Sequence, residues 1–189
     1  MAANMPRILI VAALTVVTSL AGACAASPRQ RPLSAGPVAT GPDTVEAVRS
    51  RLQGTWVLES LTVATFEGKP LAIGAAGTMT FDNFGGLHLE YKISDEGLVE
   101  LARAGIALPT PVISTNGQAM IDPRAAQIVY VDPKSTARPF DAELADLRRN
   151  PFAIQHRRHY QFNDDGTLTL SARYDTGKDA AVGRWKRSS

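Results

Sequence analysis

The sequence predicts an all-β fold: an up-and-down antiparallel barrel of about eight strands, with short helices in the longer connections. Apolar residues at every second position recur along the chain, most clearly at 87–93 and 168–172, and this period is typical of strands with one buried face. Short links rich in Asn, Asp, Gly and Pro alternate with longer links. In a meander this alternation brings the long links to one end, and closure into a barrel removes exposed strand edges.

The elements are expected within a domain at 43–189. Asp43 or Thr44 can cap a short helix at 45–52, because both side chains can accept a hydrogen bond from the first turn. Strands then follow at 55–64, 77–81, 87–93, 112–121, 126–132, 154–163, 167–174 and 181–187. Further helical segments are predicted inside two links, at 95–104 and 141–149.

The links between strands differ in length. Tight turns are predicted at 82–86, around 122–124 and at 163–166, where turn-forming residues cluster. The other links are 65–76, 94–111, 133–153 and 175–180, and the first three are longer than typical hairpin loops. We therefore expect a barrel with a mouth of long connections and a floor of tight turns.

The N-terminal residues predict export. Arg7 precedes an apolar run at 8–20, and the small residues 21–23 lead directly to Cys24, the only cysteine. This end resembles a bacterial lipobox, which implies a signal peptide at 1–23 and acylation of Cys24. The alternative is ordinary cleavage after Ala23 or Ala25. Recurrent Pro, Ala, Ser and Gly predict that 24–42 is an anchor and extended tether.

These features predict a lipid-anchored protein in the cell membrane or outer membrane, facing the periplasm or the cell exterior. The membrane, reached through the lipidated N-terminus, is the expected partner. The net charge of +2 and the short basic clusters give no indication of nucleic-acid binding.

The two ends of the domain resemble those of one family. Gly54-Thr55-Trp56 opens the first strand, and the last strand ends in Gly183-Arg184-Trp185-Lys186-Arg187. This pattern resembles lipocalins (calycins) and the shorter lipocalin-like domains of bacterial lipoproteins. The resemblance implies that Trp56 closes the barrel floor under a basic side chain of the last strand. Arg187 is the first candidate for that partner and Arg184 the second.

Candidate ligand-binding residues lie on the sixth strand. Its even positions include His156, Arg158 and Tyr160, which would share the inward face. Arg158 and Tyr160 could together bind a carboxylate. Further candidates on the cavity wall are Tyr91, Leu89 and Leu170. The alternative is that Arg158 pairs with an internal acid or faces solvent.

Metal and catalytic patterns are weak. His156 and His159 would face opposite sides of a strand, and His88 lies on a polar face. The sequence contains neither zinc-ligand spacing nor a nucleophile elbow, so no metal, cofactor or catalytic residue is predicted.

Three functions remain open on the sequence alone. The first is a binding module that holds a small apolar or amphipathic ligand in the barrel. The second is a structural or interaction lipoprotein whose barrel is filled by side chains. The third, less favoured, is a barrel enzyme. A cavity of roughly 300 Å³ or more would favour the first.

Overall fold

Nine strands and two short helices make up the fold in a computed structural model, which describes residues 41–106, 108, 110–136 and 157–189. The helices are α1 (Val45–Leu52) and α2 (Asp95–Arg103). The strands are β1 (Gly54–Ala64), β2 (Pro70–Ile73), β3 (Ala75–Phe81), β4 (Gly86–Ile93), β5 (Val112–Asp122), β6 (Gln127–Ser135), β7 (Arg157–Phe162), β8 (Leu168–Arg173) and β9 (Asp179–Arg187). The predicted all-β class is confirmed.

Eight of the strands form a closed antiparallel barrel. Strands β3 to β9 pair in chain order, and β1 pairs with both β3 and β9. The short β2 pairs with the second half of β1, while β3 pairs with the first half, so β2 and β3 lie along the same side of β1. The predicted up-and-down barrel is therefore confirmed.

The prediction of a long link at 65–76 is wrong. Strand β2 lies inside it, and the N–H of Thr65 donates to the carbonyl of Lys69 at 2.8 Å to close a hairpin. Pro70 begins this four-residue strand and Gly74 follows it, and both residue types are typical of loops. The link after β8 is also a tight hairpin, closed by the N–H of Tyr174 on the carbonyl of Lys178 at 2.8 Å. Between the strands that the structure describes, only the β4–β5 and β6–β7 connections are long.

Some predictions fall outside the described residues. These are the leader at 1–23 with Cys24, the tether up to residue 40, the helical segment at 141–149, and the first three residues of the predicted sixth strand, which include His156.

Helix α1 lies at the floor, next to the start of β1. The Thr44 side chain accepts from the N–H of Ala47 at 3.2 Å and so caps the helix as predicted. Val48 and Leu52 are buried, and the backbone carbonyl of Leu52 accepts from Nε1 of Trp56 at 2.8 Å. The helix thus contributes its apolar face to the barrel core.

Helix α2 lies at the mouth, in the β4–β5 connection. Ser94 caps it by accepting from the N–H of Gly97 at 3.0 Å. A Cβ on Gly97 would lie 2.9 Å from the carbonyl oxygen of Gly74, so this glycine permits the close approach of the helix to the β2–β3 junction. Leu101 and Ile106 are buried in the same core as the barrel residues.

A bulge in β1 changes which residues point inward. Trp56 and Leu58 are buried, the next two residues are exposed, and Leu61 and Val63 are buried again. The pairing with β9 shifts register between Leu58 and Ser60. One extra residue therefore keeps apolar side chains inside the barrel on both sides of the bulge.

Candidate functional site

The barrel interior contains a small, partly open cavity. Its volume is about 70 Å³, which is far below the roughly 300–1,000 Å³ of drug-sized ligand sites. Side chains therefore fill most of the barrel. The described residues that line the cavity are Leu58, Leu61, Leu89, Tyr91, Ile113, Thr115, Tyr130, Arg158, Leu170, Ala172, Ala181, Gly183 and Trp185.

Strand register explains why the polar side chains of this wall meet. Arg158 on β7 pairs with Ile128 on β6, and Tyr130 lies two residues further along the same face of β6. Tyr91 on β4 pairs with Ile113 on β5, and Thr115 follows on that face. Four strands thus contribute one cationic residue and three residues with hydroxyl groups to the wall of one mostly apolar cavity.

Arg158 is close to the two buried tyrosines. Its guanidinium carbon lies 5.7 Å from the ring centroid of Tyr130, and the side chain is only partly buried. Burial raises the pKa of Tyr91 and of Tyr130, and the positive charge of Arg158 partly offsets both increases. Both tyrosines therefore remain protonated at neutral pH, so each hydroxyl retains a proton to donate.

Trp185 adds a further donor to the wall. The residue is only 4% exposed, and its Nε1 is buried without a hydrogen-bond partner among the described residues. A Cβ on Gly183 would lie 2.8 Å from this nitrogen, so the glycine leaves room for the indole edge. An indole N–H can only donate, and leaving it unsatisfied when buried has a free-energy cost.

The structure brings together four of the six predicted ligand-binding residues. Arg158, Tyr91, Leu89 and Leu170 line the cavity. The expected joint site of Arg158 and Tyr160 is not formed in the cavity wall. Tyr160 lies two residues closer to the floor than Arg158, and its ring packs edge-on against Phe162 with centroids 5.6 Å apart.

Sequence reasoning missed three polar residues of the wall. These are Thr115, Tyr130 and Trp185. The period of two along β6 and β9 could have indicated that Tyr130 and Trp185 share a face with apolar neighbours. It could not have indicated that these strands meet Arg158.

The floor contains the aromatic–cation contact that the resemblance implied. The Arg187 guanidinium carbon lies 4.6 Å from the ring of Trp56, which is 2% exposed. Arg187 also donates to the backbone carbonyls of Gln53, at 2.6 Å, and Arg51. Arg184 instead forms ion pairs with Glu59 and Asp165 on the outer face.

A second cleft, of about 340 Å³, lies on the outer face of β7 and β8. Its wall is polar. Two of its residues, Arg173 and Asp179, form an ion pair with Nε and Oδ1 3.0 Å apart. His159 lies in this cleft, where burial and then Arg173 lower its pKa, against an opposing effect of Asp179. The remaining described wall residues are Ala125, Ala126, Tyr160, Gln161, Thr169 and Ser171.

Neither metal binding nor catalysis is supported by a cluster of side chains in the part of the chain that the structure describes. No group of three or more His, Cys, Asp or Glu residues there could hold a metal. His88 is exposed, with Nδ1 at 2.5 Å from Oδ1 of Asn116. Among the described residues of the interior wall there is no carboxylate or imidazole.

The described residues contain no helix long and apolar enough to cross a membrane. No protein-family model matches the sequence, and a search of the curated proteins finds no match either. Evidence for a function therefore comes from the geometry of the barrel and from the sequence.

Proposed function

We propose that this chain is a membrane-anchored, lipocalin-like lipoprotein whose barrel binds a small amphipathic molecule. The observation that carries the proposal is Arg158, which places a positive charge at a cavity with a mostly apolar wall. A ligand with a polar head and an apolar body matches such a wall, because its head can contact Arg158 while its body contacts the apolar side chains. The floor contact of Trp56 with Arg187 supports the lipocalin-like assignment.

The cavity volume limits the size of the ligand. About 70 Å³ is available, which is roughly the share of two water molecules in the liquid. A long alkyl chain would need side chains to move, at a cost in packing. The proposal therefore concerns a compact ligand, or the polar head of a larger one.

Arg158→Leu tests the ligand role. If the guanidinium binds the polar head, the variant should keep its fold and its thermal midpoint while its affinity for carboxylates falls. If Arg158 serves the fold, the same variant should melt earlier, because its former polar neighbours lose a buried contact. Thermal melts with carboxylate titrations distinguish these outcomes. Native mass spectrometry of protein purified from its own membrane, searching for a bound small molecule, is the complementary measurement.

The membrane anchor rests on Cys24, which follows small residues at the end of an apolar segment. Cys24→Ser should release the protein into the soluble envelope fraction or leave uncut precursor. Ala25 follows the cysteine, and by analogy with lipoprotein sorting we expect the outer membrane in a host with two membranes. Normal membrane retention, with no lipid mass on the mature N-terminus, would contradict lipidation.

A second candidate function is an interaction lipoprotein with a filled barrel. The small cavity favours it, and so do two exposed apolar side chains at the mouth end. Phe66 in the β1–β2 turn is 71% exposed, and Val99 on α2 is 49% exposed. In-cell crosslinking from position 66 or 99 should then trap an envelope protein, while crosslinking from the floor residue Phe84 serves as the control.

A further inference from the structure

Two large apolar side chains at the floor of the barrel are exposed. Phe84, in the β3–β4 turn, is 84% exposed, and Met120, on the outer face of β5, is 61% exposed. The N–H of Ala119 donates to the carbonyl of Gly85 at 2.7 Å, so the residues next to Phe84 and Met120 are bonded to each other. Val129, which pairs with Met120, is half-buried on the same face of the sheet. We refer to Phe84, Met120 and Val129 as the floor patch.

Hydrogen bonds fix the turn that presents Phe84. The Asp82 carboxylate accepts from the N–H of Phe84 at 2.8 Å and from the N–H of Gly86 at 2.7 Å. Gly85 has a φ of 87°, in the left-handed region that favours glycine. The backbone is therefore held on both sides of Phe84, and the exposure of its ring follows from the turn. Clustered apolar side chains on a surface are typical of protein or membrane contact sites.

The chain that precedes the described residues joins the barrel at this same end. The description begins at Gly41, and helix α1, which follows, contacts β5, the strand of Met120. Residues 24–40 can span at most about 60 Å even when fully extended. An acylated Cys24 would therefore hold the floor within that distance of a bilayer. Of the two ends of the barrel, the floor is the one tied to the membrane.

The charges in the two turns beside the floor patch favour a neutral lipid surface. The β3–β4 turn contains Asp82, and the β5–β6 turn contains Asp122 and Arg124. Two carboxylates against one guanidinium provide no net attraction to anionic lipid. Burial of apolar surface is then the driving force for contact, and salt should change it little.

We infer that the floor patch is a membrane contact, in which Phe84 and Met120 enter the interfacial layer of the bilayer that anchors the chain. This inference rests on the proposed lipid anchor and deepens it. The contact adds a second attachment and orients the barrel, with its floor on the bilayer and its mouth facing away.

The test uses the full mature chain, 24–189, with one myristoyl-length chain coupled to the thiol of Cys24, the only cysteine. A single chain of this length binds membranes weakly and reversibly, so a second contact is measurable. Sedimentation with phosphatidylcholine vesicles measures the bound fraction. Phe84→Ser should weaken binding by about tenfold, the lower end for losing the burial of a phenylalanine side chain.

Phe66→Ser is the matched control, because Phe66 is also an exposed phenylalanine in a turn but lies at the mouth end. It should bind vesicles as the unsubstituted chain does. Full vesicle binding by folded Phe84→Ser would overturn the inference, and so would an equal loss in both variants. A loss in Phe66→Ser alone would assign the membrane contact to the mouth and overturn it as well.

Phe84→Trp reports the contact directly and covers the case in which Phe84→Ser does not fold. Brominated phosphatidylcholine should quench its added indole and leave that of Phe66→Trp unquenched, while Trp56 and Trp185 are buried and give the background. An unquenched indole in Phe84→Trp would sink the inference. An emission shift that appears without vesicles as the protein concentration rises would assign the floor patch to a second copy and overturn it.

These vesicle measurements do not depend on acylation in the cell. If cells leave Cys24 unacylated and Phe84→Ser still loses vesicle binding, the proposed anchor falls and the affinity of the floor for lipid stands. If Cys24 is acylated and Phe84→Ser binds as the unsubstituted chain does, the anchor stands and the floor contact falls. An envelope protein crosslinked in cells from position 84 would assign the floor patch to that protein and overturn the inference.

Discussion

At the scale of single residues, the best-connected side chain at the floor is Trp56. Its ring is covered by Arg187, and its nitrogen is bonded to the carbonyl of Leu52 at the end of α1. Arg187 in turn donates to the carbonyls of Gln53 and Arg51. One aromatic side chain thus joins the helix, the first strand and the last strand.

Trp56→Ala should reduce the free energy of unfolding by about 3–5 kcal/mol, as for other large aromatic-to-alanine changes in a core. This loss is a large fraction of the free energy of unfolding of a typical domain, which is about 5–15 kcal/mol. Urea unfolding at neutral pH measures it. Val57→Ala is the control, since Val57 is 42% exposed on the opposite face of the same strand and should change stability by under about 1 kcal/mol. An unchanged midpoint in Trp56→Ala would contradict the assigned role.

Ala126 adopts a backbone conformation that is unfavourable for a residue with a side chain. It lies in the β5–β6 turn with a φ of 50°, a left-handed conformation in which a Cβ is unfavourable. Its carbonyl accepts from the N–H of Tyr160 at 2.9 Å, which holds the turn against β7. Ala126→Gly should therefore raise the urea midpoint, by an amount equivalent to about 0.5–1 kcal/mol, because glycine adopts this conformation without strain. A lower midpoint would indicate that the lost methyl group matters more than the strain.

The interior site could be predicted from sequence only in part. Counting every second residue correctly placed Arg158 and Leu170 on inward faces, because each lies in a regular strand. Tyr160 shares their parity, yet it packs against Phe162 nearer the floor, because position along the barrel axis matters as much as face. The sequence identifies Trp185 only as part of the closing basic segment. Its role depends on which strands adjoin it, and a period of two does not give strand neighbours.

At the scale of elements, the β7–β8 hairpin is organised by one carboxylate. Asp165 accepts from the backbone N–H of Thr167 at 3.0 Å and from its hydroxyl at 2.6 Å, and it pairs with Arg184 on β9. The bonds from Thr167, and then the charge of Arg184, lower the pKa of Asp165 from its ordinary value of 3.8. The charged carboxylate is therefore the form that the folded hairpin favours.

A lowered pKa in the folded state means that Asp165 stabilises the protein above pH 3.8 and that this contribution is lost as the pH falls through the folded-state value. Asp165→Asn should accordingly lower the urea midpoint at about pH 6 and have a progressively smaller effect as the pH falls below 3.8 and the native carboxyl becomes protonated as well. Asp164→Asn, a change at the exposed neighbouring acid, is the control. A difference between Asp165→Asn and the native protein that stays constant with pH would contradict the prediction.

Strand prediction failed at β2, where proline and glycine lie at the ends of the strand. Pro70 is its first residue and Gly74 follows its last, and such residues normally mark loops. Here Pro70 begins the strand, a position where a missing N–H is tolerated. Gly74 lies between β2 and β3, where its carbonyl accepts from the N–H of Ser94 at 2.8 Å. The pairing with β1 and the docking of α2 determine this region, and both involve residues distant in sequence.

At the scale of the whole molecule, barrel closure depends on β9. It pairs with β1 on one side and with β8 on the other. Removal of 179–189 should therefore expose two strand edges, abolish cooperative unfolding and promote aggregation. Removal of Ser189 alone, which is exposed and lies beyond β9, is the control and should leave the melt nearly unchanged. Light scattering measures the aggregation of both truncated proteins, and thermal melts measure the cooperativity of their unfolding. A cooperative melt without β9 would show that closure is dispensable.

The pairing of the first and last strands also has a consequence for the timing of folding. Glu59 and Arg184, which form an ion pair across this junction, are 125 residues apart in the chain. Contacts over such separations form late and make folding slow, because a long loop must close first. A chain that is threaded through a membrane pore from its N-terminus cannot complete its barrel until its last strand has emerged. If this chain is exported, as we propose, the same topology that seals the finished barrel would keep the nascent chain open until translocation is nearly complete.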